Sequence, residues 1–269
     1  MKISTLGPKG TFSHEAAIRY DKKAEIIFKD TIKEVFENVS INDSQEGIVP
    51  IENSVAGSVG QTLNCLSNFD LMIKDEILLP INHHVAGSGT LKTIKSLYVH
   101  PQTYEQCQNF IKGHLHGAQI KMTLSNGKSA EIISKTKDKT KAAIIPHIAI
   151  KIYGLKTIEK NVEDSKKNTT RFLAVSKTDT KKTKKDRTSI IVNPRIDKPG
   201  LLYHLLGEFA KESINLAKIE SRPSKEKIGS YIFYIDFEGH REDARIIKAL
   251  SAIRKSFSVK MLGSYPRKY

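Results

Sequence analysis

Residues 3–6, 26–28, 47–51, 96–99, 142–145 and 170–175 are short stretches that read as strands, most of them rich in apolar residues. Between them, apolar positions recur at helical spacing, as with Ile32, Val35 and Phe36 in 31–38. Further helices are expected over 14–20, 59–66, 103–112, 130–133 and 146–152. Ser13 and Ser129 stand where helix caps belong, and Ser58 with Gln61 has capping-box spacing. Strands and helices alternating in this way predict mostly parallel sheets in an α/β domain. Residues 71–85 form a long extended run in which Pro80 argues against a helix. Such a run can cross from one lobe to another, and the chain returns at 170–175. Out-and-back connectivity predicts two lobes with a cleft between them.

Residues 176–187 are Lys-rich and polar and read as a linker. Beyond them the periodicity changes. Strands are expected at 189–192, 218–220, 231–237 and 259–262. One helix is expected over 200–212, with Leu201, Leu202, Leu205, Leu206 and Phe209 at helical spacing, and another around Ile246, Ile247, Leu250 and Ile253. The order βαββαβ is the split βαβ, ferredoxin-like arrangement. A small sheet of this kind leaves an edge strand open, which favours pairing with a second copy.

Composition narrows the partners. The chain has 269 residues, enough for two domains, and a formal net charge of +15 that favours anionic partners in general. No aromatic residues interleave the lysines of 176–187, so a nucleic-acid-binding tail is not expected. Cys65 and Cys107 lie far apart without a CxxC and read as free thiols in a reducing compartment. No apolar run reaches the length of a membrane span, and the first residues lack the apolar core of a secretion signal. The expected location is the cytoplasm, with no membrane partner. His83 and His84 would face opposite sides of a strand with no third ligand nearby in sequence, so no metal site is expected.

The densest candidate chemistry is Asn168-Thr169-Thr170-Arg171-Phe172, in which hydroxyls, an amide and a guanidinium run straight into an apolar strand. A strand leaving a polar cluster holds its donors rigidly. Arg171 can grip a carboxylate with its planar fork, and Thr170 can give or take a hydrogen bond. Glu52 and Asn53 end another apolar strand before a Gly-bearing turn, where ligands bind in open α/β sheets. The stretch 3–20 reads as strand, Gly turn and helix start, a natural anion site. Its spacing fits neither a dinucleotide fingerprint nor a Walker loop.

These motifs stand in the order found in one family. Gly7-Pro8-Lys9-Gly10-Thr11-Phe12-Ser13, Pro50-Ile51-Glu52-Asn53-Ser54, His100-Pro101-Gln102 with Gln106-Cys107, and Thr170-Arg171-Phe172 resemble prephenate dehydratase. Residues 1–178 are similar to its catalytic domain, a two-lobed, periplasmic-binding-protein-like fold with lobes of about 1–78 with 160–178, and 79–159. Residues 188–265 are similar to an ACT regulatory domain, with Glu220-Ser221-Arg222-Pro223 as its signature. No helical stretch precedes the first motif, so the resemblance is to the form without a fused chorismate mutase.

The resemblance implies a reaction: prephenate loses carbon dioxide and its ring hydroxyl to give phenylpyruvate, on the way to phenylalanine. Forming the aromatic ring drives the fragmentation, so no cofactor or metal is implied. Thr170 would stand beside the departing hydroxyl, with Glu52 as the neighbour that relays a proton. Asn53, Gln106 and Arg171 would hold carboxylates, and Phe172 would pack on the ring. Thr11, Ser13, Ser54, Gln61 and Thr62 would line the cleft, and His83 matches a family histidine. L-phenylalanine is the implied allosteric effector, bound by Gly200, Leu201, Leu202, Glu220, Ser221, Arg222 and Pro223 where ACT domains meet in a homo-dimer or tetramer. Two departures from the family pattern stand out. Val99 replaces a hydroxyl residue, and Leu201 replaces an alanine, which adds bulk beside the effector motif. The alternative reading is a non-catalytic amino-acid sensor or solute-binding protein. It is disfavoured by the missing export signal and by the Thr170-Arg171-Phe172 cluster.

Overall fold

The computed structural model describes residues 1–196, 198–224 and 230–269. The chain opens with β1 (Lys2–Leu6), α1 (Phe12–Tyr20), β2 (Glu25–Lys29), α2 (Ile32–Ser40), β3 (Glu46–Asn53), β4 (Gly57–Ser58), α3 (Gly60–Asn68) and β5 (Met72–Pro80). It continues through β6 (His84–Gly87), β7 (Ser96–Val99), α4 (Pro101–Glu105), α5 (Gln108–His114), β8 (Gln119–Met122), α6 (Asn126–Ser134), β9 (Lys141–Ile145), α7 (His147–Ile152) and β10 (Thr157–Glu159). β11 (Thr169–Ser176) precedes the final set: β12 (Asp186–Pro194), α8 (Leu201–Lys211), β13 (Leu216–Pro223), β14 (Tyr231–Glu238), α9 (Ala244–Ile253) and β15 (Phe257–Pro266).

Three sheets result. The first has the order β2-β1-β3-β11-β5, with β4 paired to β3, and the second β10-β6-β9-β7-β8. β1 and β2 are parallel, as are β7, β8 and β9, while β6 is antiparallel to its neighbours β9 and β10. The third sheet, β13-β14-β12-β15, is antiparallel throughout. By packing, the chain forms two compact units. One comprises Met1–Val35, Ile48–Val59 and Ile77–Phe172, the other Phe36–Gly47, Gly60–Glu76 and Leu173–Tyr269.

In the first unit, the second sheet is covered on both faces. Leu97, Val99 and Ile144 pack with Ile111 and Leu115 of α5, while Ala143 and Ile145 pack with Ala130, Ile133 and Ala149 of α6 and α7. Double coverage is why these strands read as continuous apolar runs. β1 is likewise buried along Ile3, Ser4 and Thr5, and the Thr5 hydroxyl donates to the Ile48 carbonyl at 2.8 Å. The turn after β1 touches α6 directly, because a Cβ on Gly127 would lie 2.4 Å from the Lys9 carbonyl oxygen. Two sheets, with a cleft between them lined from both, give the two-lobed arrangement expected from the out-and-back path of the chain.

In the second unit, Phe233, Ile235 and Phe237 of β14 join Leu205 and Phe209 of α8 and Ile246, Leu250 and Ile253 of α9 in one core. Leu201 is 7% exposed and belongs to this core, so its extra bulk is absorbed by helix packing. The other face of the sheet is polar yet buried. The Ser189 hydroxyl lies 2.6 Å from both Asp236 Oδ1 and Tyr265 Oη. Arg187 and Glu76 pair at 2.8 Å with side chains 1% and 0% exposed.

Several expectations change. The helix expected over 103–112 is two helices, because the Gln106 carbonyl accepts from Asp164 N at 2.8 Å and Cys107 leaves helical geometry. Pro101 at the first turn starts α4 earlier than expected. Thr11, rather than Ser13, caps α1 by accepting from His14 N, and Ser125, rather than Ser129, caps α6 by accepting from Lys128 N. α1 begins at Phe12, two residues before the expected start, and α6 begins at Asn126, upstream of the apolar Ala130 that first signals it. Ser58 pairs as strand with Glu52. The linker ends sooner than expected, since β12 begins at Asp186. β8 and β10 were not expected; both are short, and β8 is an edge strand.

Removing one partner of a buried ion pair leaves the other uncompensated. Glu76→Ala is expected to lower unfolding stability by about 3–5 kcal/mol, measured by urea titration. A loss below about 1 kcal/mol would mean that Arg187 finds another partner.

Candidate active site

A cavity of about 320 Å³ lies in the first unit. The first sheet and its helices supply Leu6 and Gly7 after β1, Thr11, Phe12 and Ser13 at the start of α1, Pro50 and Asn53 of β3, and Thr170 and Phe172 of β11. The second sheet's side supplies His100, Gln102, Thr103, Gln106, Leu124, Ser125 and Asn126. Ile81 and His83, between β5 and β6, also reach it.

At its centre is the Asn53 side chain. Its Oδ1 accepts from the backbone N–H groups of Val55 at 3.0 Å and Ala56 at 2.8 Å. Two such donors fix which end of the amide is oxygen. Nδ2 must then donate, and it does so to Asn168 Oδ1 at 2.6 Å and Thr170 Oγ1 at 2.9 Å. Thr170 Oγ1 therefore accepts from Asn53, and its own O–H remains available to donate. Residues 117 positions apart meet in this bond because β3 and β11 are neighbours in the first sheet.

Among the described residues, those lining the cavity include no Lys, Arg, Asp or Glu. Positive potential comes from the backbone instead. The N-termini of α1, at Thr11 to Ser13, and of α6, at Ser125 and Asn126, both open on the cavity. The first N–H groups of a helix have no partner within it and carry partial positive charge. Two helix starts on one cavity suit a ligand with two anionic groups. Thr103 Oγ1 bonds Asn126 Oδ1 at 2.9 Å and fastens α4 to the start of α6.

His83 Nε2 lies 2.9 Å from Gln106 Oε1, and Phe12 meets the imidazole edge-on at a centroid distance of 5.3 Å. Burial pushes its pKa below the ordinary histidine value, against the opposing effects of Gln106 and Glu163. His100 is also pushed down by burial. Both imidazoles are therefore neutral at neutral pH. Burial drives the Cys107 thiol well above its ordinary range, which makes it inert as a nucleophile. Among the described residues, no group of three or more His, Cys, Asp or Glu is placed to hold a metal ion.

The residues singled out from sequence fall into groups. Thr11, Ser13, Asn53, Gln106, Thr170 and Phe172 line the cavity. Arg171 alternates away from Thr170 and Phe172 along β11, is 3% exposed, and its Nη1 donates to Glu52 Oε1 at 3.0 Å. The fork expected on a substrate carboxylate is thus engaged with Glu52. Ser54 reaches the start of β11, where it accepts from Thr169 N at 3.0 Å. Gln61 is exposed on α3 and Thr62 is fully buried there. In the second unit, Gly200 caps α8 with a φ of 81° and Leu202 is exposed. Glu220 and Arg222 pair at 3.3 Å, while Ser221 alternates to the other side of β13 and Pro223 ends the strand. Sequence reading gave no role to His100, Gln102, Thr103, Leu124, Ser125 or Asn126. The His100-Pro101-Gln102 motif was visible, but the cap at Ser125 was hidden by the later apolar start of α6.

Comparison with known proteins divides the chain in sequence, between residues 180 and 188. Residues 3–180 match the family model for prephenate dehydratase, and 188–255 match that for the ACT domain. The chain is 42% identical to a prephenate dehydratase of Methanocaldococcus jannaschii, covering 96% of each chain. It is 38% identical to a bifunctional chorismate mutase/prephenate dehydratase of Aquifex aeolicus, covering 99% of this chain and 74% of that protein. The crystal structure of a prephenate dehydratase from Arthrobacter aurescens in complex with L-Phe superposes with a TM-score of 0.92 at 31% identity, covering 99% of this chain and 90% of that one. The chain belongs to the prephenate dehydratase family and carries an ACT domain at its C-terminal end.

Proposed function

We propose that the cavity binds prephenate as its dianion, and that Thr170 gives the hydrogen bond that lets the ring hydroxyl depart as water. The observation that carries this is the Asn53 Nδ2 bond to Thr170 Oγ1, which leaves the threonine O–H free to donate. In the reaction the bond between the ring and its carboxylate breaks, and that electron pair enters the ring. The C–O bond to the hydroxyl breaks in turn, and the departing oxygen takes up one proton passed on from solvent through the Thr170 hydroxyl, which is left protonated. Carbon dioxide, water and phenylpyruvate are the products. Orientation and one placed donor are what the protein must supply.

The two carboxylates are assigned to the N-termini of α1 and α6, with Ser13, Gln106 and Asn126 as side-chain partners. Phe172 packs on the ring. Glu52 and Arg171 act behind the cavity as a positioning pair that ties β11 to β3, with Ser54 beside them. Gln61 and Thr62 belong to the start of α3, next in the chain to the cavity wall at Val59. We assign residues 1–178 to catalysis and 188–265 to regulation. L-phenylalanine is the proposed effector, acting at the ACT domains of a homo-oligomer in the cytoplasm. The motif at Gly200 to Leu202 and the outward side of β13 at Ser221, together with Pro223, are proposed as its site, with Glu220 and Arg222 behind them.

Mixing the protein with prephenate and following phenylpyruvate absorbance separates this reading from a non-catalytic sensor. Thr170→Ala is expected to lower kcat about a hundredfold or more, the scale of losing one oriented donor, while Thr170→Ser stays within about tenfold. Near-normal turnover in Thr170→Ala rejects the role. Arg171→Lys keeps the charge but loses the fork. It is expected to lower kcat about tenfold with KM little changed; a rise in KM alone would instead put the guanidinium on the substrate.

Burial also leaves a pH signature. His14, His83, His84 and His100 are each held below the ordinary value of 6.5, with burial as the largest cause. A histidine kept neutral by the fold contributes its stability in full above the unfolded value. That contribution is lost as pH falls below 6.5 toward the folded value. The melting temperature is expected to drop between about pH 7 and about pH 5, and to drop less steeply in His83→Gln. Equal slopes in the two proteins would show that His83 titrates normally.

A further inference from the structure

We infer that Lys260, aided by Tyr234 and Arg222, is a positioning residue that couples the regulatory sheet to the cavity by holding the backbone of α3. The inference rests on the dehydratase reading above and names a route for its regulation.

α3 belongs to the second unit together with the βαββαβ sheet. Its last carbonyls have no partner within the helix. The Lys260 ammonium fills that role, with Nζ 2.9 Å from the Ser67 oxygen and 2.8 Å from the Phe69 oxygen. A cation at the negative end of the helix dipole is favourably placed. Midway along, Tyr234 Oη donates to the Leu63 carbonyl at 2.9 Å. At the other end, a Cβ on Gly60 would lie 3.0 Å from Arg222 Nη2, so the guanidinium packs directly on the backbone there. β15, β14 and β13 thus each send one side chain to the same short helix. Asp70 is the charged group that faces Lys260 from the end of α3, and Glu220 pairs with Arg222 on β13.

These contacts grip main-chain atoms at the start, middle and end of α3. A helix held in this way moves with the sheet as one body, since packed elements shift rather than deform. The helix is joined at Gly60 to Val59, which lines the cavity. The segment 53–59 begins at Asn53 and contains the Val55 and Ala56 N–H groups that orient it. Displacing α3 therefore pulls on the segment that sets the Thr170 hydrogen bond. The sheet is equipped to respond, because β13 faces both ways. Arg222 looks toward α3, while Ser221 lies on the opposite side of the same strand.

The test uses the full chain and L-phenylalanine as the probe. Three things are measured in the parent, Lys260→Met, Lys260→Arg and Tyr234→Phe: the effect of phenylalanine on prephenate turnover, phenylalanine affinity by calorimetry, and amide exchange over residues 53–69. Lys260→Met is expected to bind phenylalanine within about threefold of the parent while its rate response shrinks about fivefold or more. The effector-dependent change in exchange over 53–69 should vanish with it. Lys260→Arg should restore both, because a guanidinium reaches the same carbonyls. Tyr234→Phe, which removes one hydroxyl, should weaken the response in the same direction and serves if Lys260→Met does not fold. A full response in Lys260→Met or Tyr234→Phe overturns the inference. So does a parent whose rate ignores phenylalanine, or in which phenylalanine alters exchange only within 188–265. A parent without prephenate turnover defeats the dehydratase reading instead, and the exchange measurement still decides the coupling.

Discussion

The site depends on one side-chain amide. Asn53 is held from both ends, by two backbone N–H groups on its oxygen and by Asn168 and Thr170 on its nitrogen. Removing the polar atom of Asn168 or Thr170 would leave the buried Asn53 nitrogen short of a partner, which favours a fixed arrangement. Its consequence is directional. A threonine hydroxyl can donate or accept, and the Asn53 N–H commits its oxygen to accepting. The proton is then aimed away from the protein network without any base having to remove it.

Charge is handled by a similar economy. The chain carries +15 overall, yet the described residues lining the cavity bring no charged side chain to it. Arg171 faces Glu52, and Arg187 faces Glu76 at 1% and 0% exposure. Positive potential at the cavity comes from helix N-termini, which cannot titrate and do not collapse onto a neighbouring carboxylate. A site built this way attracts a dianion while leaving His83 neutral. The excess lysines supply a long-range field that favours anionic ligands in general, and the helix starts supply the local grip.

The second unit makes the opposite use of its polar groups. One face of its sheet is an apolar core with α8 and α9. The other face buries the network of Ser189, Asp236 and Tyr265 and directs Tyr234, Arg222 and Lys260 at α3. Hydrogen bonds to main-chain carbonyls are specific in position but indifferent to the side chains of the helix they hold. Under the coupling proposed above, such contacts suit a helix that shifts together with the sheet.

Much of this was legible along the chain. Strand and helix alternation, the change to βαββαβ beyond 188, and the placing of Asn53 at the end of one strand and Thr170 at the start of another follow from local periodicity and residue chemistry. Such features depend only on neighbours in sequence. Helix starts were less legible, because Thr11 and Ser125 cap helices that begin before their expected starts, and a cap is decided by a single hydrogen bond. Arg171 shows the limit most clearly. Its residue type promised a carboxylate, and the pleat of β11 turned it toward Glu52, 119 positions away, while Thr170 and Phe172 faced the cavity. Likewise Arg187 reads as the end of a polar linker, and its pairing with Glu76, 111 positions away, lets it stand buried in a strand. The sequence alone determined most of the elements and the chemistry they carry, because propensity and periodicity are local. Tertiary structure alone decided which of those groups meet, because pairings across more than a hundred residues depend on strand order and on which side of a pleat each side chain stands.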